Sequence, residues 1–172
     1  GTLFPFFKES ARWRQKGFNH LVREAMWQIY PDGSYSMHSM NYSRFVVQLF
    51  NWSLRIAQLN DIKFPDVVMD RLQKLLHFLW SMQDKRTGRV PNYGSNDGSL
   101  IFPFSSSNYL DYRPSLNALS VILHGERLYN QGPWDEEATW FCGLKIQKIE
   151  DNIKFTSIPL ASSSTVKAEE LD

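Results

Sequence analysis

The sequence predicts an all-α fold of helical hairpins with a short β-strand tail. Apolar residues recur at three- and four-residue steps through most of residues 9–141. Proline, glycine and acidic turn residues separate the periodic stretches. After Gly143 the pattern switches to strict alternation.

The first helix is expected over 9–29, with Trp13, Phe18, Leu21, Ala25, Met26 and Ile29 on its inner face. Pro31-Asp32-Gly33 stops it. The second runs over about 39–59, with Tyr42, Phe45, Val46, Leu49 and Phe50 inside. The third starts at Pro65, a residue suited to a first helical turn, and carries Val68, Leu72, Leu75, Leu76, Leu79 and Met82. Residues 84–112 change character: Gly, Asn, Ser and Pro punctuate a stretch far longer than the usual connection of about 4–6 residues. Its aromatics argue for an ordered, functional loop, packed over the start of the 39–59 helix. Helix resumes at Pro114 and is expected through Leu128. A short helix covers 134–141, with Asp135, Glu136 and Glu137 at its positive end. Leu144–Ile149 reads as a strand and Ile153-Lys154-Phe155 as its partner. The division expected is 1–143 for the helical domain and 144–172 for a strand and linker segment.

Composition removes several classes of function. The chain has 172 residues, 42% of them hydrophobic and 22% charged, enough to bury a core. Its net charge of +1 lacks the basic excess that phosphate backbones require, so no nucleic-acid partner is expected. No run approaches the roughly 18 apolar residues of a membrane span. A single cysteine, Cys142, makes neither an internal disulfide nor a zinc site, and reads as a small buried hydrophobe. His20, His38, His77 and His124 show no ligand spacing, so no metal or other cofactor is expected. The Phe-rich opening reads as a helix cut in the middle and the Ser-rich end as a linker, which suggests a piece of a larger protein.

Elimination narrows the chemistry. There is no G-x-S-x-G elbow and no phosphate-binding glycine loop. Asp32, Asp97 and Asp111, all in or beside loops, keep a two-carboxylate glycoside hydrolase open. Two segments are more informative. One is Asp32-Gly33-Ser34-Tyr35 followed by His38-Ser39-Met40-Asn41-Tyr42; the other is Asn92-Tyr93-Gly94-Ser95-Asn96-Asp97-Gly98 followed by Asp111-Tyr112-Arg113-Pro114.

In this order the motifs resemble those of the heparinase II/III-like polysaccharide lyases over roughly residues 1–143. The resemblance implies a partial (α/α) toroid leading towards a β-sandwich, and cleavage of a uronate-containing glycan by β-elimination. That reaction needs the uronate carboxylate neutralised, a base for the C5 proton and an acid for the leaving O4 oxygen. It places the catalytic tyrosine at Tyr42, as the acid for the leaving oxygen and also as the C5 base, with a carboxylate-neutralising Asn/His element before Gly1 and a further histidine beyond Asp172. By resemblance alone, the compartment would be the periplasm or the exterior.

Plainer readings stand beside these. Tyr42 is in phase with Phe45 and Val46 and also reads as a core residue; Asn41 also reads as a helix cap. His38, Asn41, Tyr93, Asn96, Asp97 and Arg113 are the candidate substrate contacts, although Asp97 and Arg113 also suit an ion pair pinning the loop. Trp80 and Trp134 suit core packing or sugar stacking. Arg44, Lys85, Arg86, Arg89 and Arg113 are candidates for a basic cleft receiving an acidic polysaccharide. Five helices fall short of a closed ring, so the exposed apolar flanks invite self-association. A non-catalytic glycan-binding or interaction module remains the rival from another class.

Overall fold

The computed structural model describes residues 1–143, and there it is all-α: α1 Ser10–Gln28, α2 Met40–Gln58, α3 Asp66–Ser81, α4 Arg113–His124 and α5 Asp135–Cys142. The strands expected at 144–149 and 153–155 lie outside the described residues. No helix among the described residues is long and apolar enough to cross a membrane.

Each helix ends for a local reason. After α1, Asp32 accepts from the Ser34 backbone N–H at 2.9 Å and its hydroxyl at 2.7 Å, closing the turn. Gly33 adopts φ +90° there, and a Cβ would lie 2.1 Å from the Lys74 carbonyl oxygen, so only glycine lets this turn seat on α3. The chain then pairs Tyr35 with Ile29 in an isolated antiparallel bridge. Ser39 caps α2, its hydroxyl accepting from the Tyr42 N–H at 3.2 Å. Helix α4 stops four residues before the expected Leu128, because Gly125 takes a left-handed conformation as its C-cap. The Leu128 N–H is instead satisfied by the Asn117 side chain at 2.9 Å. Helix α5 starts with three acids, as expected from the helix dipole.

Helix α2 is the centre of the assembly. It packs on α3, α4 and α5, while α1 lies against α3. The core comprises Val46, Val47, Phe50 and Leu54 of α2, the Leu72–Leu79 face of α3, and Leu116, Leu119 and Ile122 of α4. Three expected core positions are exposed, Met82 just past the end of α3 among them. Leu49 falls beside, rather than on, the Val46–Phe50–Leu54 stripe, and Trp13 stacks outward against Phe7.

The interface of α2, α4 and α5 also seals in polar groups. Gln48 and Asn51 have no solvent exposure and Glu137 has 2%. Ser115 Oγ donates to Glu137 at 3.0 Å, and the Gln48 and Asn51 amides approach the carboxylate at 3.4 Å. Gln48 Oε1 also accepts from the Ile101 and Phe102 N–H groups at 2.9 and 3.3 Å, tying the 84–112 loop to α2. Burial pushes the Glu137 carboxyl up to about 7 despite these donors.

Candidate functional site

The 84–112 loop is ordered and docks on the start of α2. Met40 N–H donates to the Tyr93 carbonyl at 3.0 Å, and Ser39 Oγ donates to the Ser95 carbonyl. Gly94, at φ +78°, rests on His38: a Cβ would lie 2.1 Å from the His38 carbonyl oxygen. The two ends of the loop are held together by the Tyr112 N–H donating to the Gly88 carbonyl at 2.9 Å.

This docking brings Asn41, Tyr42, Asn96 and Asp97 into one hydrogen-bonded cluster. Tyr42, only partly buried, donates its phenolic proton to Asp97 Oδ2 at 2.6 Å. Asp97 Oδ1 accepts from the Ser99 N–H at 3.0 Å, the Ser99 hydroxyl at 2.6 Å and Asn41 Nδ2 at 3.3 Å. Asn41 Oδ1 is turned inward, accepting from Arg44 Nη2 at 3.1 Å and facing the Tyr109 hydroxyl at 2.7 Å. That hydroxyl also lies 2.9 Å from Asn96 Oδ1 and has one proton to share between the two. Two inward donors therefore set the Asn41 amide with its N–H side toward Asp97. Beneath the cluster, Arg44 is 2% exposed, its guanidinium 4.3 Å from the ring centroids of both Tyr109 and Tyr112.

The electrostatics follow from these partners. Donation from Ser99 and from Tyr42 pulls the Asp97 carboxyl down to about 2. The same bond to Asp97 pushes the Tyr42 phenol above its ordinary value. At neutral pH the pair is a neutral phenol donating to an ionised carboxylate.

The other sequence candidates are placed differently. His38 and Tyr93 are exposed and line a neighbouring cleft of about 330 Å³ together with Tyr35, Met40, Phe78 and Met82. His38 holds φ +49°, an uncommon conformation for a residue with a side chain, on the turn that delivers α2. Asn41 is not the cap of α2; Ser39 is. Arg113 is not in the cluster, and the expected Asp97–Arg113 pair does not form. Arg113 binds Asp111 through Nε at 2.9 Å and Nη2 at 2.7 Å, and lies 3.9 Å over the Trp134 ring. A carboxylate two residues away is met at far lower chain-entropy cost than one sixteen residues away. Three of the five cations are engaged elsewhere: Arg44 is buried, Lys85 lies 3.5 Å over Trp80, and Arg113 is spent on Asp111, while Arg86 and Arg89 are exposed. Both tryptophans thus carry a cation on one face. Among the described residues no group of three or more His, Cys, Asp or Glu could hold a metal ion.

Sequence reasoning missed Tyr109, Arg44 as its partner, and Ser99. The available signal was that Tyr109 is a third aromatic hydroxyl in the same long loop, three residues before Tyr112.

Fold and site together define a helical protein that presents a phenol, an amide and a carboxylate at the open start of one helix, under a pinned loop. Comparison with known proteins makes the class specific. The Heparinase II/III N-terminus family matches residues 1–99, and the chain belongs to that family. Over 80 residues it is 34% identical to a heparin-sulfate lyase of Bacteroides stercoris, a match covering 45% of this chain and 12% of the relative. Over 111 residues it is 32% identical to a heparin-sulfate lyase of Bacteroides thetaiotaomicron, covering 63% of this chain and 15% of that relative. The chain thus spans a small part of the curated relatives it matches. No solved structure matches it.

Proposed function

We propose that this chain is part of a polysaccharide lyase that cleaves an acidic, uronate-containing glycan by β-elimination, with Tyr42 as the proton donor. The observation that carries this reading is the Tyr42 phenol, proton in place, at the open start of α2 in a member of this family. In the proposed step a base other than the protonated Tyr42 takes the C5 proton. The C5–H electron pair becomes the C4–C5 double bond, and the C4–O4 pair leaves on oxygen. The Tyr42 proton goes to that oxygen. Asn96, exposed on the loop, offers an amide contact to the sugar, and His38 and Tyr93 line the adjoining cleft. Asn41, 1% exposed and bonded to Arg44, Tyr109 and Asp97, is a buried support for the site and not a sugar contact. Arg113 is left out of this set because Asp111 occupies it.

The five helices are proposed to form one arc of an (α/α) toroid. Their exposed aromatics, Trp27 at 71% and Trp140 at 69% among them, are the surfaces through which an isolated segment would self-associate.

The test is Tyr42→Phe in the protein that carries this segment. It keeps the ring packed against Phe45 and deletes only the hydroxyl. Turnover, read as unsaturated-uronate absorbance, is expected to fall by about 10²–10⁴-fold with the melting temperature nearly unchanged. Near-wild-type turnover would remove Tyr42 from the chemistry and leave a glycan-binding module as the better reading.

A further inference from the structure

We propose that Asp97 is the positioning residue for Tyr42: its carboxylate, held in place by Ser99 and Asn41, accepts the phenolic hydrogen at 2.6 Å and fixes where the hydroxyl stands at the start of α2. This deepens the lyase reading and rests on it for its catalytic meaning, though the pair itself is a property of the chain.

Three features separate this bond from a chance surface contact. First, Asp97 is fixed independently of Tyr42. Its Oδ1 closes a turn onto the Ser99 N–H and hydroxyl, which leaves Oδ2 aimed at the phenol. Second, the loop carrying Asp97 is itself anchored to the start of α2, by the Met40–Tyr93 and Ser39–Ser95 bonds and by the close seat of Gly94 on His38. Third, the Asn41 amide cannot take over the role of Asp97, because Arg44 and Tyr109 hold its oxygen inward.

The groups facing Tyr42 set the sign. From the loop come Asp97, ionised, and the neutral Ser99. From α2 come the neutral Asn41 and the Phe45 ring. Arg44, the nearby cation on the same helix, is sandwiched between Tyr109 and Tyr112. A phenolate beside an ionised Asp97 would be a like-charge pair, whereas the phenol donates to it. The raised phenol and lowered carboxyl agree with this geometry. In the free site Tyr42 is therefore a neutral phenol oriented by Asp97 and not a phenolate base, so a separate base takes the C5 proton; the phenol leaves its bond to Asp97 as its proton passes to O4.

The experiment has one arm that needs no activity. In the 172-residue chain labelled with ¹³Cζ-tyrosine, the Tyr42 resonance is assigned by its loss in Tyr42→Phe and titrated with pH. Wild type is expected to titrate above the ordinary value of about 10. Asp97→Asn, which keeps the shape and an acceptor oxygen but removes the charge, is expected to lower the midpoint measurably. Asp97→Glu is expected to restore it. An unmoved midpoint in Asp97→Asn overturns the assignment.

The second arm is the pH profile of kcat/KM in the protein carrying this segment. The basic limb is expected at lower pH in Asp97→Asn. If Tyr42→Phe is inactive while Asp97→Asn leaves that limb in place, the Asp97 assignment falls alone. If Tyr42→Phe retains turnover, the lyase reading falls. A lower KM with raised kcat in Asp97→Asn would make Asp97 a carboxylate that occludes the site, which also overturns the proposal.

Discussion

Helix α2 carries two polar clusters built from the same chemistry, with opposite consequences. Midway along it, Gln48 and Asn51 present amides to Glu137, with Ser115 supplying a hydroxyl. At its start, Asn41 presents an amide to Asp97, with Tyr42 and Ser99 supplying hydroxyls. Glu137 accepts from one hydroxyl at 3.0 Å and from amides at 3.4 Å, Asp97 from two hydroxyls at 2.6 Å and an amide at 3.3 Å. Yet Glu137 is raised to about 7 and Asp97 lowered to about 2. The difference is water. Glu137 is sealed between three helices, so desolvation of the charge outweighs its donors; Asp97 lies at the surface, where desolvation is small and the short bonds dominate. One helix thus holds a carboxylate poised to be neutral in the core and one committed to its charge at the open end.

The largest expected effect comes from cutting the buried cluster. Gln48→Leu removes the acceptor of the Ile101 and Phe102 N–H groups and two donors' worth of contact to Ser115 and Glu137. Unsatisfied buried groups cost about 1–3 kcal/mol each, so urea unfolding of the 172-residue chain is expected to show a loss of about 2–4 kcal/mol. A loss below about 0.5 kcal/mol would mean that the sealed network is not what ties loop to helix.

Next is the pH dependence of the same cluster. Between about 4.5 and about 7 the folded chain keeps the Glu137 proton that the unfolded chain releases, so stability falls as pH rises through that window. Glu137→Gln, neutral throughout, is expected to flatten this by on the order of 2–3 kcal/mol between pH 5 and 8. The orphaned acceptor Asn51 Oδ1 beside it suits a neutral, hydrogen-bearing neighbour. His124, lowered by burial, acts in the opposite sense as it charges below its ordinary value, so the difference between variant and wild type is the quantity to compare. Equal pH slopes in the two proteins would show that Glu137 is ionised in the fold at neutral pH.

The smallest effect is local to the open end. Gly94→Ala places a methyl into the His38 carbonyl at a positive φ, so the 93–99 segment is expected to lift from α2. Hydrogen exchange at the Met40 amide, which donates to the Tyr93 carbonyl, is expected to quicken by about ten-fold or more while global unfolding barely shifts. Unchanged exchange there would mean that the loop is held by the Gln48 contacts alone.

Most of the secondary structure was legible in the sequence, because helix periodicity and caps are local. The start of each helix, the Pro-Asp-Gly stop after α1 and the acidic first turn of α5 need only neighbouring residues. The order and placing of the D-G-x-Y, H-S-x-x-Y and N-Y-G-x-N-D-G motifs pointed to the family that the comparisons established. Leu128 lies outside α4 because Gly125, a local C-cap signal, ends the helix although the apolar spacing continues.

What only the tertiary structure decided is which partner each polar residue found. Asp97 suits Arg113 on charge grounds, but Asp111 stands two residues from Arg113 and the Tyr42 phenol stands under Asp97 once the loop folds back on α2. Tyr42 in phase with Phe45 and Val46 reads as core, yet its position at the first turn of the helix leaves the hydroxyl at the open rim. The raised Glu137 and the lowered Asp97 are likewise invisible in sequence, where both are acids beside polar neighbours. Local pattern sets the backbone within a few residues; desolvation and hydrogen-bond partners depend on segments some 55–90 positions apart meeting in space, and that is settled only by packing.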